Sequence, residues 1–181
     1  MMISKLYFVG LALWLMTADV LAQDFKSRRI IPLELANEAA MAAIAACAKN
    51  GFDVTATLVD ANGIVRSVSK AEMAGPHTND SSRLKAFTAV SLGPTFRVDT
   101  TGEIAAKAQS SPSGAALSVV PGFMIFAGGA LIRSRGEVLG ALGVGGAGNG
   151  DKDQICVQAA IDQIADRLKC CLLYTSPSPR D

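Results

Sequence analysis

The first half of the chain changes from an alanine-rich segment to two short runs rich in β-branched residues, and each pattern predicts a different element. Residues 33–50 are rich in alanine, with a proline near the start and a glycine as a stop signal, which predicts a helix. Residues 54–59 and 64–69 are strand-like. Asn62-Gly63 lies between them and favours the positive φ angles of a tight turn. We therefore predict a helix followed by an antiparallel hairpin.

The next apolar pattern has the helical period. Leu84, Phe87 and Val90 share one face of a predicted helix over 80–92, which we expect Gly93-Pro94 to end. A short helix is predicted near 102–109, followed by a loop rich in serine, proline and glycine.

Three further strands are predicted at 123–126, 130–133 and 138–144, the last two joined by a turn at Arg135-Gly136. A final helix is predicted over 153–169, with apolar positions at Ile155, Ile161, Ile164 and Leu168. Because hairpins dominate the strand connections, the fold class is α+β, with a mainly antiparallel sheet of five strands flanked by helices.

The two ends of the chain differ from this pattern. Residues 1–22 have a lysine, a short apolar core over 6–16 and a small-residue cleavage pattern, which predicts a signal peptide; an uncleaved anchor is the less favoured alternative. Residues 23–32 are then an N-terminal extension and 33–169 the domain. Residues 170–181 change abruptly to serine and proline, and we predict a non-native tail. The mature protein is expected to be periplasmic or secreted, without stable membrane insertion.

Composition narrows the classes of partner. The formal net charge is +1, and the single Trp and both Tyr residues lie in the two end segments, so nucleic acid is not an expected partner. Cys47 and Cys156 lie on predicted helices. They are either a disulfide, which an exported domain permits, or two small buried thiols.

Several familiar sites are disfavoured. Residues 143–148 match G-x-G-x-x-G, but the second parallel strand of a dinucleotide fold does not follow. We interpret this run as a connection, with Asp151 or Asp153 capping the next helix; anion binding by its N–H groups is the weaker alternative. With one histidine, no G-x-S-x-G and no C-x-x-C in the domain, neither a hydrolytic triad nor a multi-histidine metal site is expected. No catalytic residue is assigned.

The segment 73–90 is the strongest candidate site. It combines a Gly-Pro turn, the single histidine, two cations and a helix start. Haem iron takes an axial histidine and needs only one or two protein ligands, so the single histidine is sufficient. The cations Arg83 and Lys85 would bind carboxylate groups of the ligand, such as propionates. A locally hydrogen-bonded loop histidine is the alternative. The predicted ligand-binding residues are His77 (as haem-iron ligand), Thr78, Arg83, Lys85 and Met73.

Four blocks of the sequence resemble the small haem-binding, "haem-degrading" domain proteins of the HbpS/GlcG type, over roughly 33–169. The blocks are Val59-Asp-Ala-Asn-Gly63, Ala74-Gly-Pro-His-Thr with Ser81-Ser-Arg-Leu-Lys-Ala-Phe-Thr-Ala89, Pro121-Gly-Phe and Gly140-Ala-Leu-Gly-Val-Gly-Gly146. The resemblance implies a profilin-like fold with a five-stranded antiparallel sheet, homo-oligomers, and haem or related tetrapyrrole binding in some members. Glu72-Met-Ala-Gly stands where the family often has Asp-Gly-Ala-Gly.

Three hypotheses follow. The leading one is an exported binder of haem or a related tetrapyrrole, with haem as cofactor, acting as an accessory to oxidative metabolism. The second is enzymatic: weak peroxide-coupled haem degradation, or a reaction on a small organic acid. The third is a non-catalytic homo-oligomeric assembly domain. Whether the protein is an enzyme stays open at this point.

Overall fold

The computed structural model describes residues 29–170, apart from the side chain of Cys170. The predicted signal peptide 1–22 lies outside these residues. So do positions 23–28 of the predicted N-terminal extension and positions 171–181 of the predicted tail. The sequence therefore remains the only basis for those predictions.

The centre of the described region is an antiparallel sheet with the strand order β2-β1-β4-β3. The strands are β1 (Thr55–Asp60), β2 (Val65–Lys70), β3 (Gly129–Ser134) and β4 (Glu137–Gly145). The two inner strands, β1 and β4, pair without interruption from Thr55 opposite Gly145 to Asp60 opposite Gly140. The class is thus α+β, as predicted.

The predicted turn between β1 and β2 is present. Gly63 has a φ of +79°, and the Asp60 carboxylate accepts hydrogen bonds from the backbone N–H groups of Asn62 (2.8 Å) and Ile64 (3.1 Å). A short acidic side chain that bonds to the backbone two residues later favours a turn over a continued strand.

Five helices accompany the sheet within the described residues: α1 (Leu33–Ala48), α2 (Thr78–Phe96), α3 (Thr101–Gln109), α4 (Gly114–Leu117) and α5 (Gly150–Cys170). Helices α1 and α5 pack together on one face of the sheet, and their buried residues share a core with alternate positions of β1 and β4. Helix α2 lies on the opposite face. No helix in residues 29–170 is both long enough and apolar enough to span a membrane.

Helix α2 lies directly on the backbone of β4. A Cβ atom on Gly143 would lie 2.2 Å from the carbonyl oxygen of Ser82, so any larger residue would force the helix away. The buried hydroxyls of Thr57 and Ser82 are 2.8 Å apart, and those of Thr55 and Thr78 are 2.7 Å apart. These pairs satisfy polar groups that the close contact removes from water.

Cys47 and Cys156 form a disulfide between α1 and α5. Both residues are buried, and 109 positions separate them in the chain. Of the two alternatives that the sequence left open, the structure has the disulfide.

The prediction of five strands is wrong: the sheet of the described region has four. Residues 123–126 form an irregular segment instead of a strand. The backbone N–H of Met124 donates to Thr88 Oγ1 (2.8 Å), and the Phe123 ring stacks on Phe87 with centroids 6.1 Å apart. Residues 123–126 therefore pack against side chains of α2 and do not pair with a strand of the sheet.

The predicted end of α2 at Gly93-Pro94 is also wrong, since the helix continues to Phe96. It ends at Arg97, which has a left-handed φ of 54° and whose N–H donates to the Gly93 carbonyl. A Cβ atom on Gly93 would lie 2.9 Å from Leu131 Cδ1, so the glycine permits close packing of α2 on β3. Tertiary packing here outweighs the local tendency of glycine and proline to stop a helix.

Helix α5 begins earlier than predicted, at Gly150, and this changes its cap. Asn149 Oδ1 accepts the N–H of Lys152 (2.9 Å), so Asn149 holds the capping position that we predicted for Asp151 or Asp153. Ile164 and Leu168 are buried as expected of an apolar face, but Ile155 is 63% exposed.

Candidate functional site

An open cleft of about 690 Å³ lies beside the first half of α2. It has three sides: one face of α2, the segment 118–126, and the glycine loop (residues 145–149) with the start of α5. Ligand pockets of proteins commonly have volumes of roughly 300–1,000 Å³. The lining residues are His77, Ser81, Lys85, Ser118, Phe123, Met124, Ile125, Phe126, Gly145, Gly146, Gly148, Asn149 and Asp153.

The α2 side of the cleft carries three polar side chains at helical spacing. His77, Ser81 and Lys85 are four residues apart, so they project from one face of the helix. His77 stands immediately before the first helical residue, at the exposed end of this row, whereas Lys85 is buried at the other end.

Gly75 supports the His77 ring. A Cβ atom on Gly75 would lie 2.8 Å from Cε1 and 2.9 Å from Nδ1 of the imidazole, but 4.0 Å from Nε2. The Nδ1–Cε1 edge of the ring therefore lies against the Gly75 backbone, and Nε2 is the more remote nitrogen. An imidazole held on one edge presents its other nitrogen to a ligand.

An ion pair closes the inner end of the cleft. Lys85 Nζ donates to Asp153 Oδ2 (2.6 Å) and to the carbonyl oxygen of Val144 (3.0 Å). The two side chains are only 3% and 5% exposed. Burial lowers the pKa of Lys85 below its usual value, an effect that the hydrogen bond and the charge of Asp153 oppose.

The aromatic wall of the cleft consists of Phe123, Met124, Ile125 and Phe126. The Phe126 ring lies over the Lys85 ammonium, with 5.2 Å from Nζ to the ring centroid, and it is 51% exposed. Such an arrangement is typical of a cation–π contact. One polar side of the cleft thus faces one apolar, aromatic side.

The glycine loop forms the third side. Gly146 and Gly148 have φ angles of +130° and +87°, which L side chains rarely adopt. Asp153 Oδ1 accepts the Ala147 N–H (2.9 Å), so the carboxylate that pairs with Lys85 also holds this loop. The predicted connection is present, and part of its N–H capacity is used within the protein.

The structure brings two of the five predicted ligand-binding residues, His77 and Lys85, to the cleft. The Thr78 side chain is buried instead, with its hydroxyl 2.6 Å from the Gly75 carbonyl oxygen and 2.7 Å from Thr55 Oγ1. Arg83 is exposed on α2 and Met73 is 80% exposed in the preceding turn, and neither lines the cleft.

The sequence did not predict that the aromatic wall and Asp153 belong to the cleft. The aromatic wall was assigned to a strand, and Asp153 was assigned to a helix cap. Asp153 lies 68 positions after Lys85, and no local pattern connects two residues so far apart. The signal that was available is the apolar run directly after Pro121-Gly122, a turn-forming pair next to a segment of large side chains.

The described residues contain no group of three or more His, Cys, Asp and Glu side chains that is arranged to hold a metal ion. A single imidazole in a cleft that also has an aromatic wall is a different donor set, which would give one ligand to a metal carried by a planar group.

A family model described as "Haem degrading protein HbpS-like" matches residues 31–162. The chain belongs to the HbpS-like family. The match includes the whole of α1 through β4 and most of α5, and therefore every residue of the cleft.

Three solved structures are similar to this chain in fold. HbpS of Streptomyces reticuli, in a double-mutant form, is 32% identical with a TM-score of 0.70, over 78% of this chain and 92% of that one. Klebsiella pneumoniae ORFY is 27% identical with a TM-score of 0.71, over 80% and 97% of the two chains. PduOC, crystallised as a haem complex, is 22% identical with a TM-score of 0.65, over 74% and 94%, and is similar in fold. A search of curated proteins found no match.

Proposed function

We propose that this HbpS-like protein binds haem or a related tetrapyrrole in the cleft beside α2, with His77 as a ligand of the iron. The observation that carries the proposal is the place of His77 at the exposed end of a cleft whose opposite side is aromatic. Axial ligation by one histidine is a common way for proteins to hold haem iron.

The residues present fit such a group. Phe123 and Phe126 offer ring surfaces to a planar apolar molecule, and the cleft volume of about 690 Å³ lies in the range of small-molecule sites. The Gly75 backbone restrains the imidazole, so Nε2 is the proposed donor. When bound, haem would supply an iron centre for ligand exchange or electron transfer.

The comparisons support the same proposal. The family description names haem, and PduOC, which shares the fold, was crystallised with haem. The cations predicted to hold carboxylates are placed less favourably: Lys85 is already paired with Asp153, and Arg83 does not line the cleft. We therefore assign the main contribution to His77 and the aromatic wall.

A haemin titration with paired variants tests this proposal. We expect the wild type to give a saturable shift of the Soret band, and His77→Ala to lose that shift or move the band, because the axial nitrogen is gone. Met73→Ala is the matched control, since Met73 is exposed outside the cleft, and it should titrate like the wild type. Identical spectra for the wild type and His77→Ala would refute ligation by His77.

Haem degradation is the second candidate function, and the description of the family favours it. It requires peroxide-dependent loss of the bound haem spectrum with a defined product. Loss at the same rate with free haemin would leave binding as the function.

Export and self-association also belong to this proposal. The Cys47–Cys156 disulfide supports export, because disulfides persist mainly in oxidising compartments.

Self-association is supported by apolar side chains exposed along the edge strand β2 and its turn. These are Ile64, Val65 and Val68, and they offer apolar surface to a second copy of the chain. Light scattering of the purified protein measures the oligomeric mass; a monomer would contradict self-association.

A further inference from the structure

The Lys85–Asp153 pair is unusual because it is buried and yet lines the cleft. The Arg29–Glu137 pair, for comparison, is more than a third exposed at both side chains, whereas Lys85 and Asp153 are 3% and 5% exposed. Removing two charges from water is expensive, and an apolar pair of similar volume often stabilises a fold equally well. We therefore looked to a chemical role for the Lys85–Asp153 pair in addition to its contribution to the fold.

The Lys85 nitrogen is desolvated, and it contacts a group that can accept a proton. Desolvation favours its neutral form, and Asp153 Oδ2 at 2.6 Å is placed to accept the proton that must leave. The Phe126 ring lies over the nitrogen, 5.2 Å from Nζ to the ring centroid, and is half exposed. Lysines desolvated in this way are used by enzymes to form Schiff bases with carbonyl compounds.

We propose that Lys85 is a nucleophilic amine that captures a small aldehyde or ketone in the cleft as a Schiff base, with Asp153 as its proton acceptor and donor. This inference does not depend on haem binding, although both ligands would use the same cleft. The aromatic wall favours a carbonyl compound with an apolar or aromatic body.

The atoms of this reaction balance without an additional reactant. The Lys85 ammonium passes one proton to the Asp153 carboxylate, and the neutral amine attacks the carbonyl carbon to give a carbinolamine. A proton moves from nitrogen to the carbinol oxygen, and the proton held by Asp153 joins the departing hydroxyl, which leaves as water. The product is a protonated imine on Lys85, beside Asp153 returned to its carboxylate form.

Phe126 controls access to the amine in this proposal. Its backbone lies in an irregular segment outside the sheet, and half of its side chain is exposed, so it can swing away without breaking a strand pairing. Phe126→Ala should therefore speed capture of the carbonyl compound by Lys85.

Reductive trapping tests the proposal. The full protein is treated at pH 7 with benzaldehyde and cyanoborohydride, which reduces imines to stable amines, and each lysine is followed by peptide mass spectrometry. We expect Lys85 to be labelled faster than the exposed Lys49, because burial lowers the pKa of Lys85 and so raises its neutral fraction at pH 7. Labelling of Lys85 no faster than Lys49 would overturn the proposal.

Two variants separate the roles of Lys85 and Asp153. Lys85→Arg keeps the charge and should lose the fast-labelled site while the label on Lys49 is unchanged. Asp153→Asn removes the charge that raises the pKa of Lys85, and that change alone would speed labelling. Slower labelling in protein that still melts cooperatively is therefore expected only if Asp153 transfers the proton, and an unchanged or faster rate would remove Asp153 from the step. Haemin titration of the same samples is read separately, so a failure to label Lys85 leaves the result for His77 intact, and the reverse also holds.

Discussion

Single residues decide what the cleft presents, and Gly75 is the clearest case. Its missing side chain leaves the space that the Nδ1–Cε1 edge of His77 occupies. The sequence placed a glycine before Pro76 and His77 but could not show that the imidazole folds back onto it. A positioning role for Gly75 is therefore visible only in the structure.

Gly75→Ala should weaken haem binding without unfolding the protein. A methyl group 2.8 Å from Cε1 forces the imidazole to turn, so the axial nitrogen moves, and we expect the dissociation constant for haemin to rise by roughly tenfold, about 1.4 kcal/mol. Haemin titration followed at the Soret band measures this change.

Gly102→Ala is the matched control for that experiment. Gly102 lies in α3, and a Cβ atom there makes only an ordinary contact of 3.4 Å with Ala127, so haem affinity should not change. Equal affinities for wild type and Gly75→Ala would show that Gly75 does not position His77.

At the scale of elements, patterns with a strong local signal were predicted correctly, and those that depend on packing were not. The helix at 33–48 and the turn at Asn62-Gly63 follow from residues close in sequence. The segment 123–126 has the composition of a strand, but Thr88 and Phe87 of α2 bind it. Sequence periodicity does not reveal which distant element an apolar run will meet.

The same distinction applies to the cleft. His77 and Lys85 could be predicted because His77 directly follows a recognisable Gly-Pro turn and Lys85 lies eight positions later on the same helix face. Asp153 and the aromatic wall come from parts of the chain that meet only after the sheet has formed. Arg83 lies close to Lys85 in sequence but is exposed on α2, because neighbouring residues of a helix point in different directions.

The disulfide between α1 and α5 should contribute strongly to stability. It closes a loop of more than 100 residues, for which loss of chain entropy in the unfolded state predicts about 4–5 kcal/mol. We expect Cys47→Ala/Cys156→Ala to lower the midpoint of guanidinium unfolding substantially. Reduction of the wild type under denaturing conditions, followed by refolding in reductant, should give the same midpoint as the double variant. Equal midpoints for the oxidised wild type and the double variant would refute this contribution.

At the scale of the whole molecule, the disulfide and the signal-like residues 1–22 make one consistent prediction of export. When the full chain is expressed in a bacterium with a periplasm, we expect the mature protein to begin near Gln23 and to carry no free thiol at Cys47 or Cys156. Intact mass and thiol labelling of the periplasmic fraction measure both properties. A reduced protein with an intact N-terminus, found only in the cytoplasm, would contradict the prediction.

The packing of α1 against α5 also determines where attachments to this protein would lie. Arg167, near the end of α5, pairs with Glu34 at the start of α1, so the two ends of the described region are neighbours. The cleft is at the opposite end of α5, roughly 27 Å away at 1.5 Å per residue. A fluorescent reporter or a surface tether joined near residue 30 or 169 would therefore stand clear of the ligand site. A circular permutant that links these ends would keep the cleft intact.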